Sequence, residues 1–221
     1  MAYNLAYIRN RVLDDKLDDV SFNPEVIDRF INDAQREIFN MFEFPFTEKV
    51  FVGSLPGGER IFQFPLDYQM TQALKLVAPD GFRKDITDYY IKFREFNQAY
   101  PTPENNTPGA PYAWTTHGNK LYVDRPTDQD YTLELWYIKK PAKLEADTDI
   151  PEVPEEFEEA LVLGAYYRAL GRNEDFDLQA FVQNGSFATQ SDLMVTRLGK
   201  RQSGKPMAMR QTLRRNRGRG L

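Results

Sequence analysis

The sequence predicts an α+β fold: a small bundle of about four helices, a large β-rich insertion, and an extended basic C-terminal arm. Three observations carry this expectation. Apolar residues recur at helical spacing near the start of the chain and again after residue 154, whereas residues 47–140 are short runs rich in Val, Ile, Phe, Tyr and Thr punctuated by Pro and Gly. From Arg197 onward every charged side chain is basic. The division expected is a helical core of residues 1–46 and 150–198, a β insertion of 47–149 and an arm of 199–221.

The first helix follows Asn4 as N-cap, with Leu5, Ile8 and Val12 at helical spacing, and ends in a polar turn over Asp14 to Asp19. The second is capped by Asn23 with Pro24 at the first helical position, where the missing N–H costs little. Its apolar stripe is Ile27, Phe30, Ile31, Ala34, Ile38 and Phe42, opposed by Asp28, Asn32, Asp33, Arg36 and Glu37, and Pro45 stops it. Strands are expected at 48–55, 60–64, 72–78, 112–117, 120–124 and 131–139. Pro56-Gly57-Gly58 and Gly118-Asn119 read as hairpin turns. A short helix is expected around 91–99, and Pro101, Pro103, Pro108 and Pro111 stiffen the loop after it. Past Pro154, Glu155, Glu156, Glu158 and Glu159 complement the positive end of a helix that is apolar over more than half its circumference, hence central, and that stops at Gly171. A fourth, amphipathic helix is expected from Glu174 to Leu198, with Gly185 as its weak point.

Composition excludes several kinds of function. With 221 residues, 41% of them apolar, the chain can bury a real core. It has no cysteine, which removes disulfides and thiolate chemistry and suits a chain made in a reducing compartment such as a cytoplasm. The longest apolar run, Ala160 to Tyr167, is far shorter than the roughly 18 residues of a membrane span. The opening Met-Ala-Tyr-Asn shows no secretion signal. Net charge is −5, but the nine basic residues between Arg197 and Leu221 leave residues 1–196 with 19 basic and 33 acidic side chains. An acidic body therefore carries a basic arm.

No motif organises catalysis. His117 is the only histidine, beside Gly118 in an expected turn, and no orienting acid and nucleophile can be assembled around it. Gly199-Lys200-Arg201-Gln202-Ser203-Gly204-Lys205 has phosphate-loop spacing, but Pro206 stands where a Ser or Thr must ligate magnesium. The acidic groups Asp14, Asp15, Asp18 and Asp19, then Asp147, Asp149 and Glu152, and last Glu174, Asp175 and Asp177 lack the pattern of a calcium loop and read as turn and cap residues. No enzyme activity, cofactor or metal is expected. The arm carries the binding chemistry: Arg197, Lys200, Arg201, Lys205, Arg210, Arg214, Arg215, Arg217 and Arg219 interleave with Met207, Met209 and Leu213. That mixture suits docking in a groove of a protein partner. Nucleic-acid binding through counterion release, and a merely solubilising end kept open by Gly and Arg, are the alternative readings.

Two stretches resemble the neck adaptors of tailed bacteriophages: Pro24-Glu-Val-Ile-Asp-Arg-Phe-Ile-Asn-Asp-Ala-Gln-Arg-Glu-Ile38, and Pro154-Glu-Glu-Phe-Glu-Glu-Ala-Leu-Val-Leu-Gly-Ala-Tyr-Tyr-Arg-Ala-Leu-Gly171, separated by an extended β insertion. The resemblance implies a structural virion protein in the neck between capsid and tail. It implies a homo-oligomeric ring, usually of twelve copies, seated under the portal protein with DNA passing through its axis without sequence-specific binding. It further implies that the C-terminal arm docks on the portal. The insertion varies widely among such proteins, so the resemblance assigns it no role; contact with tail, nozzle or fibre proteins is the expectation for it.

Overall fold

The structure, a computed structural model, describes residues 3–17, 23–170 and 186–199. Its α-helices are α1 Leu5–Asn10, α2 Pro24–Met41, α3 Phe93–Ala99, α4 Glu158–Leu170 and α5 Ser186–Gly199. Its strands are β1 Glu48–Leu55, β2 Ile61–Gln63, β3 Tyr68–Val77, β4 Arg83–Asp85, β5 Trp114–His117, β6 Lys120–Val123 and β7 Tyr131–Lys139. The fold is α+β, and the chain divides into two compact units. One comprises the described residues through Thr47 and from Pro141 onward; the other is Glu48–Lys140.

In the helical unit, Asn4 caps α1 by accepting from the Tyr7 N–H at 2.9 Å. The helix does not end at the acidic stretch as expected: it widens into a π-helical segment, Arg11–Leu17. Burial of the consecutive Val12 and Leu13, together with the Arg11–Asp15 pair at 3.1 Å, holds Asp14 and Asp15 in helix rather than in a turn. Residues 18–22, with Asp18 and Asp19, lie outside the described residues. Asn23 caps α2 through the Glu25 N–H at 2.9 Å. This helix stops at Met41, four residues before Pro45, with Phe42 already extended. Proline disfavours helix at the residue before it, and the buried Phe44 stacks on Phe46 with ring centroids 5.1 Å apart.

The helix after Pro154 begins as a 3-10 turn, Glu155–Phe157, before α4. Ala160 to Ala165 are all buried, as a central helix requires. The stop expected at Gly171 and the first part of the fourth helix lie outside the described residues. In α5, Ser191, Met194 and Leu198 face the core. The core of this unit joins Leu5, Ile8, Ile27, Ile31, Ile38, Phe157, Leu161 and Met194. Each large buried side chain contributes roughly 1.5–3 kcal/mol.

Residues 141–149, expected with the insertion, belong to the helical unit. The cause is polar. Asn32 accepts from the Leu144 N–H at 2.8 Å and donates to the Leu144 carbonyl at 3.0 Å. Gln35 donates to the Ala142 carbonyl and accepts from the Glu152 N–H, both at 3.0 Å. The Leu5 N–H bonds the Asp149 carbonyl at 2.8 Å. Asn32, expected on the polar side of α2, is therefore buried in the helical unit.

The β unit holds two antiparallel sheets, in the orders β1-β7-β3-β4 and β2-β6-β5. Leu55, Leu74, Leu76, Leu133, Leu135 and Tyr137 of the first share one core with Phe62, Trp114, Leu121 and Val123 of the second. β1 pairs with β7 along its length, from Glu48 opposite Ile138 to Leu55 opposite Tyr131. Pro56-Gly57-Gly58 does not close a hairpin: β1 and β2 lie in different sheets, and the turn, with Gly58 at φ 85°, carries the chain from one to the other. Gly118-Asn119 does close the β5–β6 hairpin, with Gly118 at φ 59°. β4 was not expected. Asp80 accepts from the Phe82 N–H at 2.9 Å and Gly81 has φ 85°, so Pro79-Asp80-Gly81 turns β3 back onto it.

The proline-rich segment is pinned. Asp124, with no exposed side-chain surface, accepts from the Tyr112 and Ala113 N–H groups at 2.9 and 3.0 Å and pairs with Arg125 at 2.7 Å. Asn106 donates to the Asp124 carbonyl at 2.7 Å.

Candidate partner-binding surface

The helical unit presents a groove of about 680 Å³. Gln190, Leu193 and Arg197 recur on one face of α5 and form one wall; Tyr7 of α1 lies against the segment from Glu155 to Glu159, which forms the other. Four carboxylates reach this groove because the 3-10 turn and the first turn of α4 are almost wholly glutamate, the residue type that complements the positive end of a helix.

Two of the four are already engaged. Arg11 bonds Glu158 closely and pairs with Glu159 at 3.0 Å, and the Tyr7 hydroxyl donates to Glu158 at 3.4 Å. Glu155 and Glu156 are exposed. Nearby, the Tyr3 hydroxyl donates to the Val153 carbonyl at 2.8 Å. Burial first, and then the charges of Glu158 and Glu155, push its ionisation well above the usual tyrosine range, so it is a fixed donor. Arg9 ties the same region to α2, meeting both Asp28 oxygens at 2.6 and 2.9 Å and Asp147 at 2.7 Å. Arg168 bonds Glu37 closely and the Gly164 carbonyl at 2.7 Å. Ion pairs thus tie the glutamate wall and its helix to the rest of the helical unit.

Of the arm residues singled out by sequence, Arg197 is described: it is exposed at the end of α5 and lines the groove. Lys200, Arg201, Lys205, Met207, Met209, Arg210, Leu213, Arg214, Arg215, Arg217 and Arg219 lie outside the described residues, as does the Lys200–Pro206 part of the phosphate-loop pattern. His117 ends β5 with its ring stacked on Phe93, centroids 4.1 Å apart. Asp149 accepts from the Glu145 and Ala146 N–H groups at 2.7 and 2.9 Å, which holds its carboxyl below the usual range. Among the described residues no group of His, Asp and Glu is placed to hold a metal, and no helix is long and apolar enough to cross a membrane.

The β unit offers a second, chemically different surface. Val50 and Val52 on β1 are 50% and 60% exposed. Trp136 on the neighbouring β7 pairs with Val50 and lies 4.8 Å beneath the Lys75 ammonium.

Sequence reading missed Asn32, Gln35 and Asp124. A signal for the first two existed: two amides three residues apart, Asn32 and Gln35, interleave with the apolar stripe of α2, and buried amides need partners. The groove had no comparable signal, because three separate segments build it.

The family model described as SU10 adaptor protein matches residues 3–215. No curated protein matches the chain.

Proposed function

Because the chain belongs to the SU10 adaptor protein family, whose members are structural adaptors of phage virions, we propose that it joins the portal to the tail in the virion neck as a homo-oligomeric ring, with twelve copies as the natural number. DNA passes through the axis of that ring. The arm from residue 199 fastens each copy to the portal protein, and the β unit meets tail, nozzle or fibre proteins.

The observation that carries this reading is the extent of the family match, which takes in both units and most of the arm. Two supports are physical. A closed ring needs heterologous contacts, a different surface on each side of the copy, and the glutamate-walled groove and the valine-bearing sheet are different surfaces. An acidic body around a channel repels DNA and lets it slide, while a basic arm is attracted to an acidic partner surface.

Deleting residues 199–221 is expected to leave the body folded and to abolish attachment to purified portal rings in negative-stain images. Attachment by the truncated chain would overturn the assignment of the arm. The charge of the arm, nine basic residues and no acid from Arg197 onward, also favours a second reading, nucleic-acid binding. Tight DNA binding by the isolated protein, falling as a high power of salt concentration, would establish it.

A further inference from the structure

We propose that in the free protein the groove between α5 and the start of α4 is the docking site of the chain's own basic segment, residues 200–221. Charge complementarity comes first. The groove carries Glu155, Glu156, Glu158 and Glu159 against Arg197 and the bridging Arg11. The segment carries eight basic residues and no acid. Glu155 and Glu156, which Arg11 does not bond, are the carboxylates open to it. Six of the eight are arginines, whose planar forks suit carboxylate pairs better than ammonium does.

Apolar chemistry agrees. Leu193 is 39% exposed on the α5 wall, and the segment supplies Met207, Met209 and Leu213 between its charges. Methionine adapts to irregular surfaces at little conformational penalty.

Placement makes the chain's own segment the favoured occupant. Arg197 already lines the groove, and the segment begins three residues later. Twenty-two residues reach up to about 75 Å when extended, far more than the groove requires. A short tether holds a ligand at an effective concentration on the order of millimolar, which makes even weak contacts count. Exposed ion pairs are individually weak, so the contact forms in the isolated chain and yields to a larger acidic surface. On the adaptor reading, that surface belongs to the portal. The groove then shields the arm until its partner is present.

The chain has no cysteine, so a spin label on Ala208→Cys reports on one position of the intact protein. In dilute, low-salt solution the label is expected to broaden the amide signals of Tyr7, Glu155 and Glu156, all remote from it in sequence. The double substitution Glu155→Lys, Glu156→Lys should reduce that broadening roughly fivefold or more, and about 0.5 M salt on the unaltered groove should do the same without any substitution there. No broadening at low salt would overturn the proposal. Broadening seen only when labelled and isotope-enriched chains are mixed would also overturn it, by showing the segment of a second copy in the groove. No portal takes part in this experiment, so its failure leaves the adaptor reading standing, and failure of the truncation experiment leaves the groove contact standing.

Discussion

At the scale of single residues, the helical unit depends on polar groups inside an apolar interface. Asn32 bonds both the N–H and the carbonyl of Leu144, and its amide also reaches the Asp28 carbonyl at 2.9 Å. Replacing it with Ala leaves two buried backbone groups without partners, each costing about 1–3 kcal/mol. Asn32→Ala is therefore expected to destabilise the helical unit by about 2–4 kcal/mol in a denaturant titration followed by helical circular dichroism. Replacing a residue truly on the polar face of α2, such as Asp33, which pairs with the exposed Arg36 at 2.9 Å, should cost less than about 0.5 kcal/mol. This is also where sequence reading reached its limit. The helical period located the stripe of α2 correctly, but a period describes which side a residue is on, and Asn32 sits at the margin where a distant strand of chain arrives to cover it.

At the scale of elements, β1, β3 and β7 are tied together by Asp67, in the turn before β3. It accepts from the Lys49 ammonium at 2.7 Å and the Tyr137 hydroxyl at 2.8 Å. Burial disfavours its ionised form, but the bonds from Lys49 and Tyr137 outweigh burial, and the carboxyl titrates below its usual value of 3.8. A folded-state value below the unfolded one adds stability above the unfolded value and loses it as pH falls through the folded one. Asp67→Asn should thus lower the stability of the β unit by a constant amount above about pH 5, with the gap to the native chain closing below about pH 4. Thermal melts across pH 2–7 measure this. Most of these elements were legible: β1 and β7 fall on the residues expected for them, since long alternating runs bounded by turn residues leave little choice. β4 was missed because a three-residue strand, Arg83–Asp85, has no apolar alternation of its own and exists by pairing with the end of β3. The sheet change at Pro56-Gly57-Gly58 was invisible for a related reason: a turn motif records local dihedral angles and says nothing about which strand lies alongside.

At the scale of the molecule, each unit has its own core, and both tryptophans, Trp114 and Trp136, lie in the β unit. Tryptophan fluorescence therefore reports on the β unit and helical dichroism chiefly on the other. A Cβ at Gly53 would stand 2.5 Å from the Phe62 ring and 2.8 Å from Phe51. Gly53→Ala is expected to destabilise the β unit by roughly 1–3 kcal/mol. The fluorescence transition should move to lower denaturant while the helical transition stays where it was; a common shift of both would show a single cooperative fold. The charge pattern of the whole chain was readable only on one side. Nine basic residues in a row of 25 announce themselves, whereas the glutamate wall opposite Arg197 reads in sequence as an ordinary helix start.

The first residue of β1, Glu48, lies opposite Ile138 near the end of β7, so the polypeptide departs for the β unit and comes home through the same doorway. Two cuts at that threshold would free a self-contained cassette and leave ends close enough to splice with a few residues. A lineage could exchange the cassette wholesale and keep its helices unchanged.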